Sequence, residues 1–352
     1  MRAEAARPAP GLHALTEADL ASVPAAVVER LRSAHRILTV CHRDPEADAL
    51  GSALGLALAL EEMGKLATPV CTDPVPAMYD FMPEIGRFRR DPDPSVDYDL
   101  IVVGDCGELD RVGAVRERHA ELFGRVPIVD IDHHGSNTGF GVVDWIDPQA
   151  AATCEMVTLL LPHLGLPVDA RGGTIAEDLL AGVVIDTATF QHPNTTPRTL
   201  RVGAELRAAG APLAEISRRI YRTKPTAQLR LFGIVLGRLE TAMEGRLVWS
   251  VLADDDFRVA EAVPEMSEGL IDLLAQADRG AVAILFKDQG SRTRISVRTK
   301  DGGVDAIALT GRFGGGGHSR AAGATIDEPL SIARPLVLAQ AERLIAELGE
   351  TR

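Results

Sequence analysis

Along the first half of the chain, short aliphatic and β-branched runs alternate with stretches of helical character. That alternation predicts a parallel sheet flanked by helices. Ile37-Leu38-Thr39-Val40-Cys41 reads as a buried strand. Residues 49–63, rich in Ala, Leu and Gly, read as the following helix, ended by Gly64 and small enough in side chain to lie close to the sheet. Further strands are predicted around residues 68–71, at Leu100-Ile101-Val102-Val103 and at Pro127-Ile128-Val129-Asp130-Ile131. Residues 176–185 open with Ala, Glu and an early Leu and are read as helix. Residues 206–226 turn helical and charged, punctuated by Pro212 and Pro225. Beyond them the pattern gives an amphipathic helix at 227–239, a strand at 247–252 and a helix around 266–277. A hairpin-like pair of strands follows at 281–286 and 294–299, turning through Asp288-Gln289-Gly290-Ser291.

A length of 352 residues suits two domains. The expected class is α/β, with a flexible Ala/Pro-rich extension at residues 1–24 and a parallel-sheet domain with flanking helices at 25–205. A helical linker at 206–226 leads to a smaller mixed α/β domain at 227–352. Hydrophobic residues make up 46% and aromatics only 4%, so aliphatic side chains fill the cores. The net charge of −13 argues against a basic track for duplex nucleic acid but leaves room for short nucleotides, which a few cations and arginines can hold. Cys41, Cys71, Cys106 and Cys154 show no C-x-x-C spacing and are read as reduced, buried thiols of a cytoplasmic protein. No apolar run reaches the length of a membrane span, and no membrane partner is expected.

The residues that follow the strands change the picture. His42, Arg43, Asp44, Pro45, Glu46, Ala47 and Asp48 follow the first strand, Gly104 and Asp105 the third, and Asp132, His133 and His134 the fourth. Asp186 ends the apolar run 179–185 in the same way. In open parallel sheets ligands gather at the carboxyl ends of strands, so these segments converge on one rim. A single Asp at a strand end is ordinarily a cap or a turn residue. Four such ends, two of them with His, point instead to a shared site. Carboxylates crowded into one cleft raise each other's pKa unless cations sit among them. Acids with a minority of imidazoles and no thiolate suit octahedral manganese better than structural zinc. Two ions about 3.5–4 Å apart would clamp an in-line phosphoryl displacement.

In the second half, Gly314-Gly315-Gly316-Gly317-His318 precedes Ala321-Ala322-Gly323. Set inside a folded pattern, Gly315, Gly316 and Gly317 are expected to curl their N–H groups around an anion that His318 also reaches. Strict alternation in Arg294-Ile295-Ser296-Val297-Arg298 places Arg294, Ser296 and Arg298 on one face, with Arg298 toward phosphate.

Five motifs in order then resemble the DHH phosphoesterases over residues 25–345. They are His42-x-x-Pro45-Glu46-x-Asp48-Ala49-Leu50-Gly51-Ser52, Asp105, Asp132-His133-His134, Asp186-Thr187, and Gly314-Gly315-Gly316-Gly317-His318-x-x-Ala321-Ala322-Gly323. The nearest branch is the two-domain nano-RNases, bifunctional oligoribonucleases and pAp phosphatases. The resemblance implies one metal on His42, Glu46 and Asp105, and a second on Asp48, Asp105, His133 and Asp186, with Asp105 bridging. It also implies that His134 contacts the scissile phosphate, that Asp132 orients the neighbouring imidazole, and that Arg298 and His318 bind substrate from a DHH-associated domain that closes over the metals. The family has Asp where this chain has Glu46, which puts metal use and rate at that position in question.

The expected function is a two-metal phosphoesterase acting on short single-stranded RNA, with pAp hydrolysis to AMP as a second activity. A cyclic-dinucleotide or pApA phosphodiesterase is the alternative enzyme, and a catalytically weakened nucleotide sensor the alternative of another class. A homodimer is expected from base rates alone.

Overall fold

A computed structural model describes residues 15–300 and 303–350. Its chain divides between Thr223 and Lys224 into two compact units.

The first unit is built on five parallel strands, β1 (Arg36–Val40), β2 (Leu66–Val70), β3 (Leu100–Gly104), β4 (Ile128–Asp132) and β5 (Val143–Ile146), in the order β2-β1-β3-β4-β5. Both faces are covered, as an all-parallel sheet requires. Ile37, Val102, Val129 and Ile131 pack against the helices Ala47–Glu62, Thr153–His163 and Thr174–Asp186. Leu38, Val40, Ile101 and Val103 pack on the other side with Phe123 and Tyr98. The order reverses between β1 and β3, so the crevice at their carboxyl ends is where such a sheet takes a ligand.

The α/β class with a parallel first sheet matches the sequence pattern. β5 escapes that pattern because it is a short edge strand in which only Trp145 is buried. Residues 1–14 of the expected N-terminal extension lie outside the described residues. Within 15–24, however, the chain forms the helix Glu17–Leu20, whose buried Asp19 closes a capping box with Thr16 and pairs with Arg201. The segment expected as a linker is packed into the first unit: Leu206, Ala211, Ile216 and Ile220 are buried in its core.

The second unit is a six-stranded mixed sheet. Its strands are β6 (Glu240–Ala242), β7 (Leu247–Ala253), β8 (Val282–Asp288), β9 (Thr293–Thr299), β10 (Gly316–His318) and β11 (Ala321–Ile326), ordered β10-β11-β9-β8-β7-β6. Only β7 and β8 run parallel. Val297, Ile295, Ala322 and Ala324 pack against Val337, Ala341 and Ile345 of the helix Leu330–Glu350. Ala283 and Leu285 meet Leu231, Phe232 and Leu274 on the opposite face. The helix expected around 266–277 is only Leu270–Leu274, because Gly269 adopts φ +79 and separates it from a 3-10 turn at Pro264–Ser267.

Gly316–His318 form an edge strand against β11, and the Gly315 N–H, expected to face an anion, is instead given to the Thr310 carbonyl at 3.0 Å. A Cβ on Gly315 would lie 2.2 Å from the Gly323 carbonyl oxygen, and one on Gly317 would lie 2.5 Å from that of Ala321. Close strand approach is what these glycines permit.

Candidate metal centre

Each strand end delivers its side chain to one cluster. His42, just after β1, turns its Nδ1 to donate to the Arg43 carbonyl at 2.6 Å, which leaves Nε2 facing Glu46 Oε1 at 3.6 Å and Asp105 Oδ2 at 3.4 Å. Glu46 caps the helix Ala47–Glu62, its carboxylate accepting the N–H groups of Asp48 and Ala49. Asp105 follows β3 with φ +56, a left-handed conformation that costs a non-glycine residue of order 1–3 kcal/mol and that gathers at functional sites. His133, after β4, sets Nε2 at 3.4 Å from Asp105 Oδ1, 3.2 Å from Asp186 Oδ2 and 4.0 Å from Asp48 Oδ2.

Donor atoms of His42, Glu46 and Asp105 lie within 4.8 Å of one another, as do those of Asp48, His133 and Asp186, and those of Asp105, His133 and His134. Asp105 thus offers one carboxylate oxygen to each side. All six residues expected as ligands from the resemblance meet here.

The electrostatics of the cluster fit a cation. Burial lifts Asp48, with Asp186 and Asp105 pushing further. Burial also raises Asp186 and brings Glu46 up to about 7. Burial opposes ionisation of Asp105 too, yet His133 and His42 hold its carboxyl well below the usual range. For His42 burial pulls down, but Asp105 and Glu46 outweigh it and take the imidazole to about 10. Protons thus do the neutralising in the bare protein. A divalent ion among oxygen and imidazole donors would replace them, and no thiol is needed: Cys154 points its Sγ to the Asp48 carbonyl and is pushed up by burial.

Asp132 is fully buried and does not face the cluster directly. Its Oδ1 lies 2.7 Å from His134 Nδ1, and its Oδ2 accepts from Asn137 Nδ2 at 2.8 Å. That bond raises the His134 imidazole and leaves Nε2 of this half-exposed ring free for a ligand.

Several supporting residues carry no signal in the sequence. The N–H groups of Thr153 and Cys154, at the start of a helix, clamp both oxygens of Asp48 at 2.6 and 2.8 Å. Gly182 makes room for that carboxylate, since a Cβ there would lie 2.6 Å from Asp48 Oδ1. After Asp186 the chain turns back through three successive left-handed residues, Ala188, Thr189 and Phe190. Asn194 and His192 then return to the Asp186 carbonyl, each at 3.2 Å. The only available hint was their closeness in sequence to Asp186.

Of the substrate residues expected in the second unit, Arg298, Ser296, Gly316 and His318 fall on one face of its sheet, and Gly317 on the other. Arg298, Ala321 and His318 are register partners across β9, β11 and β10, as are Ser296, Gly323 and Gly316. Partners in register point the same way, so Arg298 and His318 flank a floor of small residues. Arg298 Nε is paired with Asp272 at 2.8 Å.

A doubly covered parallel sheet with acids and imidazoles at its reversal point, followed by a mixed-sheet unit, defines a class of phosphoester hydrolases. Two family models match this chain, the N-terminal domain of the DHH family over residues 36–184 and the DHHA1 domain over 244–347. A bifunctional oligoribonuclease and PAP phosphatase NrnA of Thermus thermophilus is 35% identical over 82% of this chain and 84% of its own length. One of the same name from Bacillus subtilis is 26% identical over 81% and 87%. Among solved structures, an exopolyphosphatase-related protein from Bacteroides fragilis superposes with a TM-score of 0.81 over 95% of this chain and all of its own, at 21% identity. RecJ of Thermus thermophilus in complex with Mn2+ gives 0.50 over 96% of this chain and 56% of its own, at 17% identity; both likenesses concern the fold alone. The chain belongs to the DHH family of phosphoesterases.

Proposed function

We propose that this chain hydrolyses short oligoribonucleotides and pAp with two divalent cations, manganese the favoured metal. The observation that carries the reading is Asp105, whose two oxygens face separate groups of donors. The relatives' names supply the substrate class.

His42, Glu46 and Asp105 would hold one ion, and Asp48, Asp105, His133 and Asp186 the other. When bound, such a pair makes a water nucleophilic at neutral pH and neutralises charge on the phosphate oxygens. The chain's own residues do the rest. His134, fixed through Nδ1 by Asp132, directs Nε2 at a phosphate oxygen, where it donates a hydrogen bond. Arg298, Ser296 and His318, with the N–H groups of Gly316 and Gly317, grip a further phosphate or the sugar. A net charge of −13 favours substrates of a few nucleotides over long polyanions. Four free buried cysteines fit a cytoplasmic protein, and no described helix is long and apolar enough to cross a membrane.

A manganese-supplemented assay against di- to pentanucleotides, pAp and cyclic dinucleotides tests the reading. Turnover of short RNA or pAp that disappears in Asp105→Ala is the expected result. Activity confined to cyclic or linear dinucleotides would reassign the substrate. Tight nucleotide binding without turnover in any metal would make the chain a sensor.

A further inference from the structure

Thr153 stands where two members of the cluster meet. It arrives on the first residue of the helix Thr153–His163, not on a strand end, and it is fully buried. Its backbone N–H donates to Asp48 Oδ2 at 2.6 Å and its hydroxyl to Asp105 Oδ1 at 3.3 Å. Both oxygens lie on the His133 side of the centre, at 4.0 and 3.4 Å from His133 Nε2. The other oxygen of Asp105 faces His42.

A hydroxyl has a single proton. Given to Asp105, it leaves the Thr153 oxygen in need of a donor from behind. Behind it lies a small cavity lined by Thr39, Ser52 and Thr153 among Leu56, Val102 and Ile131, with space for about one water molecule. Thr39 Oγ1, wholly buried on β1, has no protein partner among the described residues. Ser52 gives its proton to the Ala49 carbonyl at 3.3 Å, so its oxygen can also only accept. Leaving a buried hydroxyl without a partner is destabilising. The residues that line this space carry three hydroxyls, within the two to four polar partners that a buried water needs.

We infer that Thr153 is a positioning residue of the metal centre, its hydroxyl turned toward Asp105 by one buried water shared with Thr39 and Ser52. This rests on the two-cation reading above. The arrangement fixes Asp105 Oδ1 and Asp48 Oδ2 as a preset pair on the side of His133 and Asp186. The ion on the side of His42 and Glu46 shares only the Asp105 carboxylate with this pair and depends on it less.

Calorimetric titration of manganese into the metal-stripped full chain tests the assignment. Thr153→Val keeps the backbone N–H and loses the hydroxyl. It is expected to weaken one of the two ions by about 10–100-fold while the other changes little. Thr153→Ser restores the wild-type titration, and Thr39→Val weakens the same ion by a smaller factor. A crystal structure of the stripped protein is expected to show one water within hydrogen-bonding distance of Thr39 Oγ1 and Thr153 Oγ1. Should Thr153→Val fail to fold, Thr39→Val and that crystal structure decide. Wild-type affinities for both ions in Thr153→Val, or in Thr39→Val where that variant must decide, overturn the role, and a dry cavity overturns the water. Wild-type protein that takes up two ions yet hydrolyses nothing sinks the phosphoesterase reading and leaves this one standing; unchanged binding by Thr153→Val in an active enzyme does the reverse.

Discussion

Glu46 holds two jobs, one oxygen pair serving both a helix N-terminus and the donor group around His42. Aspartate caps helices about as well, so Glu46→Asp is expected to change stability by less than about 0.5 kcal/mol. Shortening the side chain by roughly one 1.5 Å bond draws the carboxylate away from His42. The manganese concentration giving half-maximal turnover is therefore expected to move by about threefold or more. An unmoved value would mean that the extra methylene is silent. Protons compete for the same donors. With His42 raised to about 10 and His133 to about 12 by their acidic neighbours, against the pull of burial, both rings are protonated at neutral pH in the bare protein. Binding an ion must release those protons, so manganese affinity is expected to rise with pH from 6 to 8. Titrations in buffers of different ionisation enthalpy read the number released, and a count of zero would contradict the electrostatics described.

At the scale of elements, the helices Ala47–Glu62 and Thr174–Asp186 cross closely enough that Gly51 and Gly182 cannot carry side chains without displacement. Gly182→Ala is expected to cost about 1–3 kcal/mol through overpacking and to weaken manganese binding, because its Cβ meets both the Oδ1 and the Cα of Asp48. Denaturant midpoints and metal titration separate the two effects. A second tie fixes the helix that clamps Asp48. Arg198 bonds Glu155 at 2.6 Å and Asp147 at 2.8 Å, and Glu155 is completely buried. Arg198→Met leaves that carboxylate with the Ala151 N–H but without a counter-ion and is expected to cost about 3–5 kcal/mol at unchanged denaturant slope.

These elements also show what a one-dimensional reading can reach. His42, Asp105 and His133 were legible because strand ends are local features and the parallel alternation aligns them. Thr153, Gly182 and Asn137 were not, since each acts through a helix crossing or a loop return that no spacing encodes. β5 and β6 escaped for a simpler reason: few of their residues are buried, so their apolar pattern is thin. The glycine run is ambiguous in one dimension because close strand approach and anion binding call for the same residue.

For the whole molecule, the two units keep separate cores, with Leu50, Leu160 and Leu179 in one and Ile284, Val297 and Val337 in the other. A fragment of residues 1–223 is therefore expected to fold, melt cooperatively and bind manganese, yet to lose most hydrolysis of short RNA for want of Arg298 and His318. Retained turnover by the fragment would remove the second unit from substrate binding.

His42 and Asp186 stand near opposite ends of the first unit's sequence. During synthesis the early acids leave the ribosome well before the helix that carries Asp186, and until it docks no shared ion can relieve their mutual repulsion. The nascent polypeptide must meet that repulsion with protons, as the bare protein does, and a divalent ion can take their place only once the last of these elements has docked.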